Sequence, residues 1–240
     1  MQIDEFLELA KRRRSIRRFK PDPIPDGYLE KILEAGRWAM SGSNGQPWEF
    51  VVVKDQETKE LIAEALSEET KLAAAVETSR VKEMRQPQMR DAPDVQTPRN
   101  WTKAPVVVLL CADPRTAQAS VLSRLFDDRW IIPENMSNVA QVLHLAVAAC
   151  GLGSQWITIA RLPEELIKPI LGIPPVLRIF SMVAIGYPAS QPAAAYRREL
   201  SEIVHYERYD MSRFRSNMDV QEFILRLRTW SHPGYFGQAT

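Results

Sequence analysis

The chain is 240 residues long, with 45% apolar residues, 25% charged residues and a formal net charge of +1, the mix of an ordinary folded protein. That length buries a sizeable core as one large domain, and the near-neutral balance argues against a general nucleic-acid binder, which carries a basic excess. The longest apolar run, Val106–Ala112, is too short to cross a bilayer, and Asp4 and Glu5 leave no apolar export signal at the start, so a cytoplasmic protein is the expectation.

Ile3, Phe6, Leu7 and Ala10 stand at helical spacing and predict a short amphipathic helix. A basic run from Lys11 to Lys20 follows, and Pro21, Pro23 and Pro25 exclude further helix there. Asp26 is positioned to cap a second helix with Leu29, Ile32, Leu33 and Gly36 inside. Residues 40–48 are turn-forming and lead into a β-branched strand, Glu49–Lys54, with a helix over about 56–78 beyond it. From Ser79 to Trp101 apolar periodicity vanishes and Pro87, Pro93 and Pro98 recur, so 79–101 reads as a lid loop, since a functionless loop of that length is unusual.

Val106–Cys111 is the clearest buried strand, and Glu134–Cys150 a helix rich in alanine that Gly151 stops in a left-handed cap. Cys111 and Cys150 lie in apolar stretches without metal spacing and read as buried thiols of a reducing compartment. Trp156–Ile159 and Ile179–Ile185 read as strands, with a Pro163-started helix between them. Val220, Phe223, Ile224 and Leu227 form one apolar helical stripe. With Trp230, Tyr235 and Phe236 behind it, residues 211–240 form a terminal arm that must dock on its own domain or a second subunit.

Seven of the ten residues from Lys11 to Lys20 are Lys or Arg, interrupted by Ser15, Ile16 and Phe19. Three readings compete: a solvated face, a nucleic-acid or localisation patch short of aromatic interleaving, and an anion clamp in which arginines and Ser15 hold a phosphate. Of only ten glycines, Gly42 and Gly45 lie in SGSNGQPW and Gly151 and Gly153 in GLGSQW, where the backbone bends or a ligand comes close. GLGS follows a helix, so it is not a dinucleotide fingerprint. His144, His205 and His232 do not cluster and read as surface or hydrogen-bonded residues, so zinc and haem lack ligands. Asn44 and Gln46 offer amides suited to a heteroaromatic edge, or simply make a turn. Phosphate-binding arginines beside an amide-rich turn, with no protein nucleophile, leave the chemistry to a bound cofactor.

RRSIRRF (Arg13–Phe19), SGSNGQPWEF (Ser41–Phe50), CGLGSQW (Cys150–Trp156), AIGYP (Ala184–Pro188) and YRRELSEIVHYERY (Tyr196–Tyr209), in that order, resemble the FMN-dependent nitroreductase family. The resemblance implies an α+β fold, an α/β/α sandwich whose central, mostly antiparallel sheet is flanked by helices, in an intertwined homodimer with FMN at the interface. Residues 1–210 would form the FMN-binding domain. It implies phosphate and ribityl contacts from Arg13, Arg14 and Ser15, a phosphate contact from Arg197 or Arg198, and Arg17 at the pyrimidine edge as the catalytic candidate. Ser41, Gly42, Ser43, Asn44 and Gln46 would come from the partner subunit, and the backbone at Ile157 and Thr158 would lie against the flavin ring. The implied activity is ping-pong reduction of a nitroaromatic, quinone or similar small acceptor by NADH or NADPH, with no role for nucleic acid or membrane. Two alternatives stand beside it: a non-catalytic FMN carrier or sensor dimer, and a flavin-fragmenting enzyme of the branch that makes the lower ligand of cobalamin.

Overall fold

The computed structural model describes residues 2–79, 99–119, 131–194 and 196–231. The chain divides into two compact units, Met1–Pro192 and Ala193–Thr240. In the first, helices α1 (Ile3–Arg12), α2 (Tyr28–Arg37), α3 (Gln56–Ser79), α4 (Ile131–Ala149) and α5 (Arg161–Leu171) surround strands β1 (Trp48–Val53), β2 (Val106–Ala112), β3 (Gly153–Thr158) and β4 (Arg178–Gly186). The strands form one sheet in the order β1-β2-β4-β3, and every neighbouring pair is antiparallel.

Strand β2 dictates this architecture. It is apolar at every position and buried at every position, so it needs apolar cover on both faces. Val106, Val108, Leu110 and Ala112 pack with Leu29 and Ile32 of α2 and Met136, Val139 and Leu143 of α4. Val107, Leu109 and Cys111 pack with Ile62 and Leu66 of α3 and Ile167 of α5. Each such side chain contributes about 1.5–3 kcal/mol by leaving water. The result is the expected sandwich: α2 and α4 on one face, the antiparallel sheet, α3 and α5 on the other.

Several local expectations shift. Asp26 does not cap α2: Gly27 is the capping residue, in the left-handed region with φ 76° and no side-chain cap bond, and its carbonyl accepts from Lys31 N–H at 3.2 Å. Strand β3 opens at Gly153, not Trp156, because its ladder with β4 begins at the pair Gly153–Gly186. Backbone pairing sets that boundary, whereas apolar content marks only its second half. At the end of α4 the chain behaves as read: Gly151 takes φ 72°, and Leu152 N–H donates to Val147 O at 3.1 Å. Cys111 is buried and Cys150 half-buried, both as free thiols. Of segment 79–101, residues 80–98 with Pro87, Pro93 and Pro98 lie outside the described residues. The chain returns at Arg99, which donates to Glu64 at 2.6 Å, followed by a 3-10 turn, Asn100–Lys103, with Trp101 and Thr102 buried.

The second unit holds α6 (Leu200–Ile203), a 3-10 turn (Met211–Arg213) and α7 (Asn217–Ser231). Arg213 ties its turns together, with Nη1 donating to Val204 O at 3.0 Å and Nε to Asp210 at 2.9 Å. On α7 the predicted stripe is half-buried at Val220, Phe223 and Leu227 but exposed at Ile224. The Trp230 side chain and the segment 232–240, with His232, Tyr235 and Phe236, lie outside the described residues. Among the described residues no helix is long and apolar enough to cross a membrane.

One buried charge network pins α5 to β4. Glu164, almost wholly buried, accepts from Arg178 Nε at 2.8 Å and Nη2 at 3.0 Å, and from the Ile179 N–H at 3.0 Å. Lys168 Nζ, also buried, stands 3.1 Å away. Burial pushes the Glu164 carboxyl upward, but Arg178, the Ile179 N–H and Lys168 together outweigh it and hold the group below the usual carboxylate range. Glu164→Ala leaves Lys168 buried without its carboxylate and is expected to cost about 3–5 kcal/mol in urea unfolding. Because the folded carboxyl titrates low, its contribution is present above the unfolded value of about 4.3 and fades as pH falls through the folded one. The acid-unfolding profile of Glu164→Ala should therefore be flatter than that of the parent.

Candidate functional site

The basic run leaves α1 as an extended segment docked on the sheet. Ile16 and Phe19 are buried while Ser15, Arg17 and Arg18 are exposed, so apolar residues anchor the segment and cationic ones project from it. Ser15 pairs with Ser154 in a parallel bridge on β3, and Phe19 with Pro188 beyond β4. Ile16 N–H donates to Ser154 O, and Ala189 N–H to Arg18 O, both at 2.9 Å. Gly153 makes this docking possible: a Cβ there would meet Ile16 Cγ1 at 2.5 Å. Of the glycines in GLGS, then, Gly151 bends the chain and Gly153 admits a close approach, in this case by Ile16.

Where the segment meets GLGS there is a small open pocket of about 80 Å³, lined by Arg12, Arg13, Arg14, Ile16, Gly151, Gly153 and Ser154, with Ala148, Leu152, Pro188 and Gln191 completing the wall. Arg14 is partly held by its own backbone, donating from Nη1 to Arg13 O at 2.9 Å and also to Lys11 O. Behind the pocket, His144 of α4 is 5% exposed. Its Nδ1 lies 2.7 Å from Ser154 Oγ, its ring stacks on Trp156 at 5.9 Å, and Nε2 is buried without a hydrogen-bond partner among the described residues. Burial, with the nearby Arg13 cation adding to it, pushes the imidazole down to about 4, so the ring is neutral at neutral pH. The reading of the histidines as hydrogen-bonded residues holds for His144. It also holds for His205, which accepts from Asp210 N–H at 3.1 Å.

The serine-rich turn is held by the other end of α4. Gly42 N–H donates to Asn135 Oδ1 at 2.9 Å, Asn138 Nδ2 to Met40 O at 3.3 Å, and Gln46 N–H to Ser41 Oγ at 3.1 Å. Ser43, Asn44 and Gln46 adopt φ of 51°, 52° and 42°. Non-glycine residues in that region cost of order 1 kcal/mol or more each and gather at functional sites. Ser43, Asn44 and Gln46 are exposed, and none of Ser41–Gln46 lines the arginine pocket. Sequence reasoning missed the anchors: Asn135 and Asn138, three apart near the start of α4, were the available signal.

Ile157 and Thr158 close β3, one of the sheet's two outer strands. Since Ser154 O turns outward to Ile16, strand alternation turns the backbone groups of Trp156 and Thr158 outward too. Trp156 Nε1 donates to Thr158 Oγ1 at 3.3 Å, and Ile157 packs into the core on the α3–α5 face. Arg197 and Arg198 belong to the second unit. There Arg197 donates to Tyr196 O at 2.8 Å and Arg198 to Glu202 O at 2.7 Å.

Comparison with known proteins fits this fold. The sequence profile described as the nitroreductase family matches residues 10–187. The NADH dehydrogenase of Thermus thermophilus is 32% identical over 81% of this chain and 92% of its own. Iodotyrosine deiodinase 1 of Rattus norvegicus is 28% identical over 79% of this chain and 64% of its own. Among solved structures, an FMN-dependent nitroreductase from Clostridium difficile superposes with a TM-score of 0.61 at 22% identity, covering 85% of this chain and 99% of that one.

If Ile16 seats the basic segment, Gly153→Ala should cost about 1–3 kcal/mol by overpacking and speed hydrogen exchange at the Ile16 amide. Adding Ile16→Ala makes room for the new methyl, so the double variant should lose less than the sum of the two single ones. Strict additivity would show that this contact does not seat the segment.

Proposed function

Because this chain belongs to the nitroreductase family, we propose that it is an FMN-dependent NAD(P)H oxidoreductase that reduces electron-poor acceptors such as nitroaromatics or quinones and works as a homodimer. The observation that carries this reading is the meeting of Arg12, Arg13 and Arg14 with Gly153 and Ser154 around one pocket. Guanidinium groups beside a hydroxyl suit a phosphate monoester. The outward backbone groups at the end of β3 suit the polar edge of a flat ring.

In this reading Arg13, Arg14 and Ser15 hold the phosphate and ribityl chain, and Arg197 or Arg198 adds a further charge on the phosphate. Arg17 stands at the pyrimidine edge, where a fixed cation favours the negative charge that reduction brings. The Ile157–Thr158 backbone flanks the ring. The strained turn, Ser41, Gly42, Ser43, Asn44 and Gln46, completes the site of the partner subunit, which gives its stored strain a purpose. FMN, when bound, supplies hydride exchange, taken from NADH or NADPH and passed to the acceptor in two half-reactions. Exposed apolar side chains support the dimer: Trp38 and Met40, each 75% exposed, stand just before the turn, and Ile3 and Leu7 project from α1. An interface between copies of the chain would cover them.

Purified protein should be yellow, and anaerobic NADH or NADPH should bleach it, with colour returning on addition of a nitroaromatic or quinone. Including 3-iodotyrosine among the acceptors tests the chemistry named in the rat relative. Flavin that stays oxidised with both donors would favour the carrier, flavin consumed would favour the fragmenting branch, and a colourless protein that takes up no FMN would overturn the reading. For Arg17→Met, oxidised FMN should stay bound while the two-electron midpoint potential falls by a few tens of millivolts, 30 mV corresponding to about 1.4 kcal/mol. An unchanged potential with weakened FMN binding would move Arg17 to the phosphate group.

A further inference from the structure

The His144–Ser154 pair has a direction that its geometry fixes. Only one partner donates across the 2.7 Å between Nδ1 and Oγ. A neutral imidazole carries one N–H and one lone pair, and Nε2 is buried with no hydrogen-bond partner among the described residues. A proton on Nε2 would bury an orphaned N–H, the rarer and costlier defect; a lone pair there is better tolerated. The proton therefore sits on Nδ1 and is donated to Ser154 Oγ, which leaves the serine's own hydroxyl hydrogen for another acceptor. Ser154 is fixed at a second point, its carbonyl accepting from Ile16 N–H at 2.9 Å, and it faces the pocket lined by Arg12, Arg13 and Arg14. An acceptor-only group of negative charge is what such a donor set recognises.

We propose that Ser154 is a ligand of the phosphate monoester in this pocket, held as a hydrogen-bond donor by His144, a positioning residue that never touches the phosphate itself. This rests on the reading of the pocket as the phosphate end of the FMN site. It extends that reading inward, from the arginines the sequence advertises to a buried relay from imidazole through hydroxyl to phosphate oxygen.

Apoprotein titrated with FMN and with riboflavin, which lacks the phosphate, tests the relay. Ser154→Ala should weaken FMN about ten- to hundredfold, the scale of one hydrogen bond to a charged group, and leave riboflavin affinity unchanged. His144→Leu should give the same selective loss, the double variant no further loss, and His144→Gln, whose amide can still donate to Oγ, should recover most of it. Nitrogen-15 NMR of the FMN-loaded protein should show His144 as the neutral tautomer protonated at Nδ1. Equal losses for FMN and riboflavin, additive losses in the double variant, or a ring protonated at Nε2 would each overturn the proposal. If His144→Leu does not fold, the Ser154→Ala pair of affinities and the tautomer decide between them. Failure of the parent protein to bind FMN would instead overturn the cofactor reading on which the proposal rests.

Discussion

The site depends on a single close approach, that of Ile16 to the edge of β3 at Gly153. A strand at the edge of a sheet offers a row of unpaired backbone groups. Here the first part of that edge is taken by the basic segment, through Ser15 opposite Ser154 and the Ile16–Ser154 hydrogen bond. Without a side chain at 153 the two backbones meet, and the burial of Ile16 and Phe19 offsets the cost of gathering several arginines in one place. Cationic side chains repel one another, so a dense arginine cluster holds a defined geometry only when something else fixes the backbone beneath it. Apolar packing does that here, and the charges follow.

Helix α4 organises what lies on either side. Near its start Asn135 and Asn138 hold the serine-rich turn; towards its end His144 holds Ser154 and Ala148 lines the arginine pocket. Its apolar side is locked into the sheet by Met136, Val139, Leu143 and Val147. Polar residues on a helix so firmly packed lose little further freedom when they bond, which makes them good supports for a turn holding three residues in left-handed backbone. The Glu164 network has a different task. It joins α5 to the start of β4 by fully satisfied charge pairing, on the face of the sheet opposite α4.

Much of this was legible in the order of residues. The all-apolar run Val106–Ala112 demanded a doubly covered strand, the period-3.6 stripes gave the helices, and the arginine–serine run, the serine–asparagine turn and GLGSQW marked the segments proposed to hold the cofactor. Such features are local: they rest on side-chain chemistry and on periodicities that a few neighbouring residues express by themselves. The sequence alone thus determined the layered α+β class, the family, and the residue types available to hold a phosphate. Tertiary structure decided the rest, because the remaining questions concern residues far apart in the chain. Only folding brings Ile16 against Gly153, starts β3 three residues before its apolar half, and replaces Asp26 with Gly27 as a cap. Only folding puts His144 behind Ser154, 2.7 Å from its hydroxyl, with the other ring nitrogen unpartnered among the described residues, and so singles out what reads, in the sequence, as one more serine in a glycine turn.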